Sequence, residues 1–312
     1  MRETPLISIV VPLYDEEKVI RETYSRLTSV LMRQGLDYEI LMVNDGSRDK
    51  TLEIIKEICK AEKRVKLISF SRNFGHQIAI TAGTDKAQGQ AVVIIDADLQ
   101  DPPEVIPAMV KKWREGYEVV YGVRKKREGE TYFKLFTAAL FYRVLQRLTP
   151  VDIPMNTGEF RLMDRKVVEQ LKQMRERNRF IRGMVSWVGF KQCSVEYVRE
   201  KRFAGETKYP PKKMLKFAMD GILSFSQMPL KLASAFGFLC AGISPFLILY
   251  GLLIKFFFPQ RAIPGWASVF VAAIFLGGVQ LICLGILGEY LGRIYEEIKQ
   301  RPLYIVQEEL NF

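Results

Sequence analysis

Two long stretches without a single charge constrain this chain before anything else. No Asp, Glu, Lys or Arg interrupts Leu232 to Ile254, and none interrupts Ala262 to Gly288. Each meets the length of roughly 20 residues that a helix needs to cross hydrocarbon. Buried helices of soluble domains are usually shorter and keep polar residues along one edge, so two membrane spans are expected. The joining segment, Lys255 to Arg261, is short and aromatic, with Phe256, Phe257 and Phe258 ahead of Pro259. The spans are therefore read as a hairpin with both ends on one side. Lys212, Lys213, Lys216 and Lys231 precede the pair and Arg293, Lys299 and Arg301 follow it, against Lys255 and Arg261 in the loop. That bias assigns both termini to the cytoplasm. Met1 to Pro5 lead straight into a strand-like run, not a basic and then apolar leader, so the bulk of the protein is expected to stay cytosolic on the plasma membrane.

The formal net charge of +11 suits a protein beside anionic headgroups or one that handles phosphates. Nucleic acid is disfavoured, because the strands carry no aromatic platforms interleaved with the basic residues. Cys59, Cys193, Cys240 and Cys283 are scattered without metal-ligand spacing and read as reduced structural thiols. With His76 as the only histidine, a multi-histidine metal site is excluded and nothing local supports a Ser-His-Asp triad. His76 itself is read as a helix cap rather than a nucleotide contact.

Ahead of the spans, β-rich runs alternate with helical patterns: strands at 6–12, 38–44, 65–70 and 91–96, helices at 16–32, 50–61 and 77–87. Such alternation builds an α/β fold, a mostly parallel sheet with helices on both faces. A helix at 104–115, a strand at 118–122, a basic amphipathic helix at 133–148 and further strands up to residue 208 complete the expected cytosolic domain, 1–208. Residues 209–230 mix Lys212, Lys213 and Lys216 with Met214, Leu215, Phe217 and Ile222, as amphipathic interfacial helices do. The spans take 231–291, and a cytosolic tail takes 292–312. Partly apolar surfaces in 209–230 and 289–312 suggest a homo-oligomer.

In parallel sheets, ligands gather beyond the carboxyl ends of the strands, here 14–17, 45–48, 71–76 and 96–101, all polar or charged. Asp96-Ala97-Asp98-Leu99-Gln100-Asp101-Pro102-Pro103 follows an apolar strand directly. Carboxylates crowded there repel one another, and a hard divalent cation such as Mg²⁺ or Mn²⁺ relieves them while bridging a substrate's phosphates. Asp101 is read instead as the cap of the next helix, with Pro102 at its first position. Asp45-Gly46-Ser47 also fits a simple turn.

These motifs, with Val10-Val11-Pro12-Leu13-Tyr14-Asp15-Glu16-Glu17, Val43-Asn44-Asp45-Gly46-Ser47, Ser71-Arg72-Asn73-Phe74-Gly75 and Thr157-Gly158-Glu159-Phe160-Arg161-Leu162, make the chain resemble the family-two, GT-A-fold glycosyltransferases. Among these it is most similar to the polyprenyl-phosphate enzymes related to dolichol-phosphate-mannose synthase and the phage-type glucosyltransferases. The resemblance covers nearly the whole chain. It implies that Pro12, Tyr14 and Glu16 contact the nucleotide and Asp45 faces the base, with Arg72 in the same site. Asp96 and Asp98 match a D-x-D motif, Asp98 being the direct metal ligand and Gln100 a further one. Glu159 stands where the family more often has Asp in its acceptor-side motif; pairing with Arg161 or a nearby lysine in a surface bridge is the alternative. Arg199, Arg202 and Lys208 match a basic loop near the phosphates, and Arg124 is a further phosphate-holding cation, whereas Lys125 to Arg127 also fit a solvated or headgroup-facing run.

The implied reaction is inverting transfer of a hexose, glucose foremost, from a UDP-sugar to an undecaprenyl-type phosphate at the cytoplasmic membrane face. A GDP-mannose-dependent synthase and a non-catalytic scaffold for nucleotide or lipid are the alternatives. A phosphate oxygen is already anionic at neutral pH, so such an acceptor needs cations more than it needs a base, and Glu159 would then orient more than deprotonate.

Overall fold

The β-branched runs become strands and the amphipathic runs between them become the helices of a computed structural model that describes residues 6–125, 157–200, 228–257 and 265–312. In chain order the elements are β1 (Ile7–Leu13), α1 (Ile20–Arg33), β2 (Tyr38–Asn44), α2 (Thr51–Ala61), β3 (Val65–Phe70), α3 (His76–Lys86) and β4 (Ala91–Ile94), then α4 (Ile106–Arg114), β5 (Val119–Arg124), β6 (Thr157–Asp164), α5 (Arg165–Gln173), α6 (Ile181–Trp187) and β7 (Gln192–Tyr197). Two long helices, α7 (Met228–Phe257) and α8 (Trp266–Ile298), precede a last strand, β8 (Val306–Leu310).

The eight strands form one sheet in the order β7-β5-β6-β4-β1-β2-β3-β8. β1 pairs in parallel with β2 and β4, β2 with β3, and β5 with β7, while β6 and β8 run antiparallel to their neighbours. Strand order reverses on either side of β1, the topological switch beside which α/β sheets open a ligand crevice. β1, β2, β3 and β4 therefore end at one edge of the sheet. Because β6 runs the other way, its first residues, Thr157 to Glu159, return to that same edge.

Period-two alternation decides which side chains meet which helices. Ile7, Ile9, Val11 and Leu13 of β1 share a core cluster with Leu27 and Leu31 of α1, Ile55 and Ile58 of α2, and Met109 of α4. Val10, Val43 and Val92 are buried outside that cluster, as are Ala79, Ile80 and Ala82 of α3, which packs on β1 and β2 across the opposite face. Both faces of the sheet are thus covered, which is why these strands read as continuous apolar runs.

Residues 301–312 belong to the compact unit of the sheet. Expected as a cytosolic tail, this segment instead places Val306–Leu310 on the sheet edge, antiparallel to β3. Glu308 pairs with Lys56 and Glu309 with Lys86, so the outermost strand carries charges that discourage pairing with another sheet.

The second unit contains α7 and α8. The Sγ of Cys283 lies 3.8 Å from the carbonyl oxygen of Ala233, so the two helices touch. Among the described residues, one segment, Ala272–Ile298, passes a test of length and hydropathy for crossing a membrane, with a mean hydropathy of 1.8. Its apolar side chains face outward: Ile274, Phe275, Leu281 and Ile282 are all more than half exposed. The amphipathic helices expected at 209–230 and 133–148 lie outside the described residues, apart from the first turn of α7.

Candidate functional site

At the strand-end edge, the loops after β1 and β2 are stitched together by backbone groups. Asp15 adopts a positive φ of 51°. Its N–H donates to Ser47 Oγ (3.0 Å) and its Oδ1 accepts the N–H of Arg48 (2.8 Å). Glu16 N–H donates to Thr51 Oγ1 at 2.8 Å and Glu17 N–H to Asp49 Oδ2 at 3.1 Å. This stitching sets Tyr14 and Glu16, both half-buried, beside Pro12, which is buried opposite Val43.

Asp45 is 3% exposed, and its carboxylate accepts the N–H of Phe74 at 2.6 Å and of Gly75 at 2.9 Å. Burial pushes its pKa above the usual value against the lowering effect of those two donors. The residue expected to face the base thus also fixes the turn between β3 and α3. Gly46 sits at φ +65°, and a Cβ there would lie 2.4 Å from the backbone carbon of Arg72. The Asp-Gly pair is therefore more than a turn, because only glycine lets the two loops close on each other. Arg72 is exposed, with its guanidinium 3.9 Å over the Phe74 ring.

His76 does not cap its helix. It is the first residue of α3, after a Gly75 cap at φ 105°, and its Nε2 lies 3.3 Å from Asp96 Oδ1. The alignment is not that of a hydrogen bond, so this buried oxygen has no donor. Burial raises the pKa of Asp96 to about 6; His76 opposes the shift, while Asp101, Asp98 and Glu159 add to it. The side chain as a whole is 30% exposed, so the carboxylate opens to the crevice on one side.

Asp98 Oδ1 accepts the N–H of Gln100 at 3.1 Å around Leu99, which is held at φ 57°. A non-glycine residue in that region is strained and marks a loop held in place by its surroundings. Gln100 is 9% exposed and exchanges hydrogen bonds with the backbone of Glu200, at 3.0 Å to its own carbonyl and 3.5 Å from its Nε2. Gln100 thus ties the D-x-D loop to the start of the segment expected to hold phosphates.

Asp101 is the clearest correction. Pro102 occupies the cap position of the short 3₁₀ turn, which has no side-chain cap, and Asp101 is 1% exposed. Its Oδ1 accepts the Tyr197 hydroxyl at 2.5 Å, and Arg124 Nη2 lies 3.4 Å from Oδ2. Arg199 Nε stands 3.9 Å from the same carboxylate. Burial works against the Arg124 charge, but Asp101, Tyr197 and Asp96 together overcome it and the pKa of Arg124 rises. Gly158 leaves room for this guanidinium, since a Cβ there would lie 2.5 Å from Arg124 Nη2 and push it aside. Two of the expected phosphate-holding cations, Arg124 and Arg199, therefore converge on a buried acid. Arg202 and Lys208 lie outside the described residues.

Glu159 is also buried, at 3% exposure, so its alternative as a surface bridge is excluded. Its Oε1 accepts Arg182 Nε at 2.8 Å and Gln77 Nε2 at 3.2 Å, and Arg161 Nη2 lies 3.7 Å from Oε2. Burial alone would raise its pKa, but Arg182 and Arg161 overturn that and hold it at about 2. Burial in turn lowers Arg161 to about 10, with Glu159 opposing the shift. Gln77 also accepts the N–H of Ile181 at 3.0 Å, which anchors the start of α6 and so places Arg182. Nothing in the local spacing of Gln77, Arg182 and Tyr197 marks them as site residues; they meet Glu159 and Asp101 only through the fold.

Among the described residues no three His, Cys, Asp or Glu side chains are grouped to enclose a metal. Asp96 and Asp98 nonetheless fit a cation of the magnesium type, which takes one or two carboxylates and leaves its other positions to substrate phosphates and water. A buried Asp96 oxygen without a donor, its charge further disfavoured by Asp101, Asp98 and Glu159, is the observation that favours this fit.

Comparison with known proteins shows which family the chain is similar to. The model of the family described as "Glycosyl transferase family 2" matches residues 8–172. An uncharacterized glycosyltransferase of Bacillus subtilis, YkcC, is 60% identical over 301 residues, 96% of this chain and 93% of its own length. The bactoprenol glucosyl transferase of Shigella phage SfV is 43% identical over 97% of this chain and 98% of its own, and a prophage bactoprenol glucosyl transferase homolog of Escherichia coli is 41% identical over 96% and 98%.

Proposed function

The chain belongs to glycosyl transferase family 2, and from that premise we propose that it moves a hexose, glucose foremost, from a UDP-sugar onto a polyprenyl phosphate, with inversion, at the cytoplasmic face of a membrane. The observation that carries this reading is the pairing of two unlike acids at one sheet edge: Asp96, raised to about 6 with a donorless oxygen, and Glu159, held ionised at about 2 by two guanidiniums. Full-length similarity to bactoprenol glucosyl transferases supports the acceptor class.

In this reading Pro12, Tyr14, Glu16, Asp45 and Arg72 surround the nucleotide, and Asp96 and Asp98, with Gln100 beside them, hold Mg²⁺ or Mn²⁺ together with the donor's diphosphate. When bound, the cation neutralises the charge that develops on the diphosphate leaving group. A carboxylate with a pKa near 2 is a poor proton acceptor at neutral pH, so Glu159 acts by orientation. It fixes Arg182 and Arg161 near the point of transfer, where positioned cations lower the barrier. A phosphate oxygen needs no base, and this site fits a phosphate acceptor better than a sugar hydroxyl. Arg124, Arg199, Arg202 and Lys208 serve the acceptor phosphate. The two apolar helices are taken as a membrane hairpin following a cytosolic catalytic domain, 1–208, and interfacial helices, 209–230.

The test is transfer of radiolabelled sugar from a panel of UDP- and GDP-sugars to polyprenyl phosphate by the purified protein, with and without Mn²⁺ or Mg²⁺. Metal-dependent formation of a lipid-linked sugar from one UDP-hexose is expected. Product from GDP-mannose alone would replace the donor, and nucleotide binding without any product would sink the catalytic reading.

A further inference from the structure

The loop Ser71 to Gly75 carries much of the donor side: it supplies Arg72, donates two backbone hydrogen bonds to Asp45, and delivers His76 to Asp96. Besides Asp45, what holds it is an aromatic ladder that begins at the far end of the sequence. Tyr304 stacks on Phe70 with ring centroids 5.2 Å apart and 21° between planes. Phe70 meets Phe74 edge-on, at 5.6 Å and 84°. Phe74 is the residue whose N–H binds Asp45 and whose ring lies under Arg72.

The backbone is arranged around the same point. Ser71 N–H donates to the carbonyl of Ile305 at 3.1 Å, and the β3–β8 register breaks between Ser69 and Phe70, where the loop begins. Such irregularities re-aim a side chain next to functional loops. Tyr304 is itself fixed: its hydroxyl donates to Asp85 Oδ2 at 3.0 Å, and Asp85 is held by Arg175 at 2.9 Å. Asn311, at the other end of β8, anchors the strand independently by donating to the carbonyls of Cys59 (2.8 Å) and Val65 (2.7 Å).

We propose that Tyr304 is a positioning residue for the nucleotide donor: its ring fixes Phe70, and through Phe70 the Phe74 to His76 turn that frames the donor site. The inference rests on the reading of that edge as the nucleotide site. It gives the terminal strand a task beyond closing the sheet, and the two ends of that strand should separate in experiment.

The experiment uses the full-length protein in lipid nanodiscs, with UDP and, in parallel, GDP titrated calorimetrically in the presence of Mn²⁺, and with thermal unfolding recorded for each variant. Tyr304→Phe keeps the ring and should bind within about twofold of the wild type. Tyr304→Leu keeps apolar cover without the stack and should weaken nucleotide binding about three- to tenfold, the size of effect a lost aromatic pair produces. Asn311→Ala loosens the strand elsewhere and should leave affinity unchanged. In turnover assays the Tyr304→Leu loss should appear in the donor KM and not in the KM for polyprenyl phosphate. Unchanged affinity in Tyr304→Leu, or an equal loss in Asn311→Ala, overturns the proposal, the second because general loosening then explains both. A wild-type protein that binds neither UDP nor GDP removes the donor-site reading itself and this inference with it. That result is distinct from binding that Tyr304 does not influence.

Discussion

The two halves of the strand-end edge are built on different physics. On the side of β1, β2 and β3, acidic residues meet backbone N–H groups: Asp45 takes Phe74 and Gly75, Asp15 takes Arg48, and Asp49 takes Glu17. On the side of β4, β5 and β6, acidic residues meet other charges. Glu159 faces Arg161 and Arg182, Asp101 faces Arg124, and Asp96 is left with crowding carboxylates and a single imidazole. Backbone donors are placed by the chain itself, so the acids of the first half already have their partners. Paired buried charges stand or fall together, whereas Asp96 has a single imidazole beside it and a buried oxygen without a hydrogen-bond donor.

The largest expected effect breaks the charged half. Arg161→Met should destabilise the folded protein by about 3–5 kcal/mol, because it leaves Glu159 buried with Arg182 and Gln77 alone. Denaturant unfolding of the Arg161→Met/Glu159→Leu double variant should show markedly less loss than the sum of the single variants, the mark of coupled groups. Strict additivity would mean the two side chains do not depend on each other.

Next in size is a change that separates activity from stability. Asp98→Ala should lower transfer by about 100- to 1000-fold, the range seen when one preorganised electrostatic contact is lost. In the same region, Asp96→Asn should also impair transfer yet raise the unfolding temperature of the metal-free protein, since it removes a charge that burial disfavours first and Asp101, Asp98 and Glu159 disfavour further. An Asp96→Asn protein that unfolds earlier than the wild type would argue that the carboxylate is structural.

Asp45→Asn tests the backbone-built half and should cost less, about 1–3 kcal/mol of stability, because the amide retains one acceptor oxygen for two buried donors. Nucleotide affinity should fall with it, as the Phe74–Gly75 turn loosens. If stability falls while nucleotide affinity holds, Asp45 shapes the loop without shaping the site.

The same contrast explains what could be read from the sequence. The strands and helices of the sheet were legible because their apolar runs are continuous and Asp-Gly, Asn-Phe-Gly and Asp-Pro punctuate them. The strand-end motifs were legible for the same reason, each being a local run of a few residues. β8 was not legible: Val306-Gln-Glu-Glu-Leu310 is short and half polar, as an edge strand can be, and only its pairing with β3 reveals it. The partners of the charged half were equally hidden. Arg182 lies 23 residues from Glu159 and Tyr197 lies 96 from Asp101, so no motif could contain either pair. Asp101 reads as a cap because Asp before Pro is a common helix-start pattern, whereas its burial and its Tyr197 and Arg124 partners come only from tertiary structure.

The smallest effect within practical reach is a pH dependence, and its sign follows from Glu159. Its folded pKa, about 2, lies below the ordinary value of 4.5. A depressed carboxylate adds stability that is complete above the unfolded value and is lost as pH falls through the folded one. The wild type should therefore lose stability progressively below about pH 4.5, with only part of the loss reached by pH 3.5. Glu159→Gln should flatten that part of the profile while lowering the plateau, since two guanidiniums then face a neutral amide. An acid limb of the same steepness in the variant would place the titrating group elsewhere and would show that the guanidiniums around Glu159 are held by the fold and not by its charge.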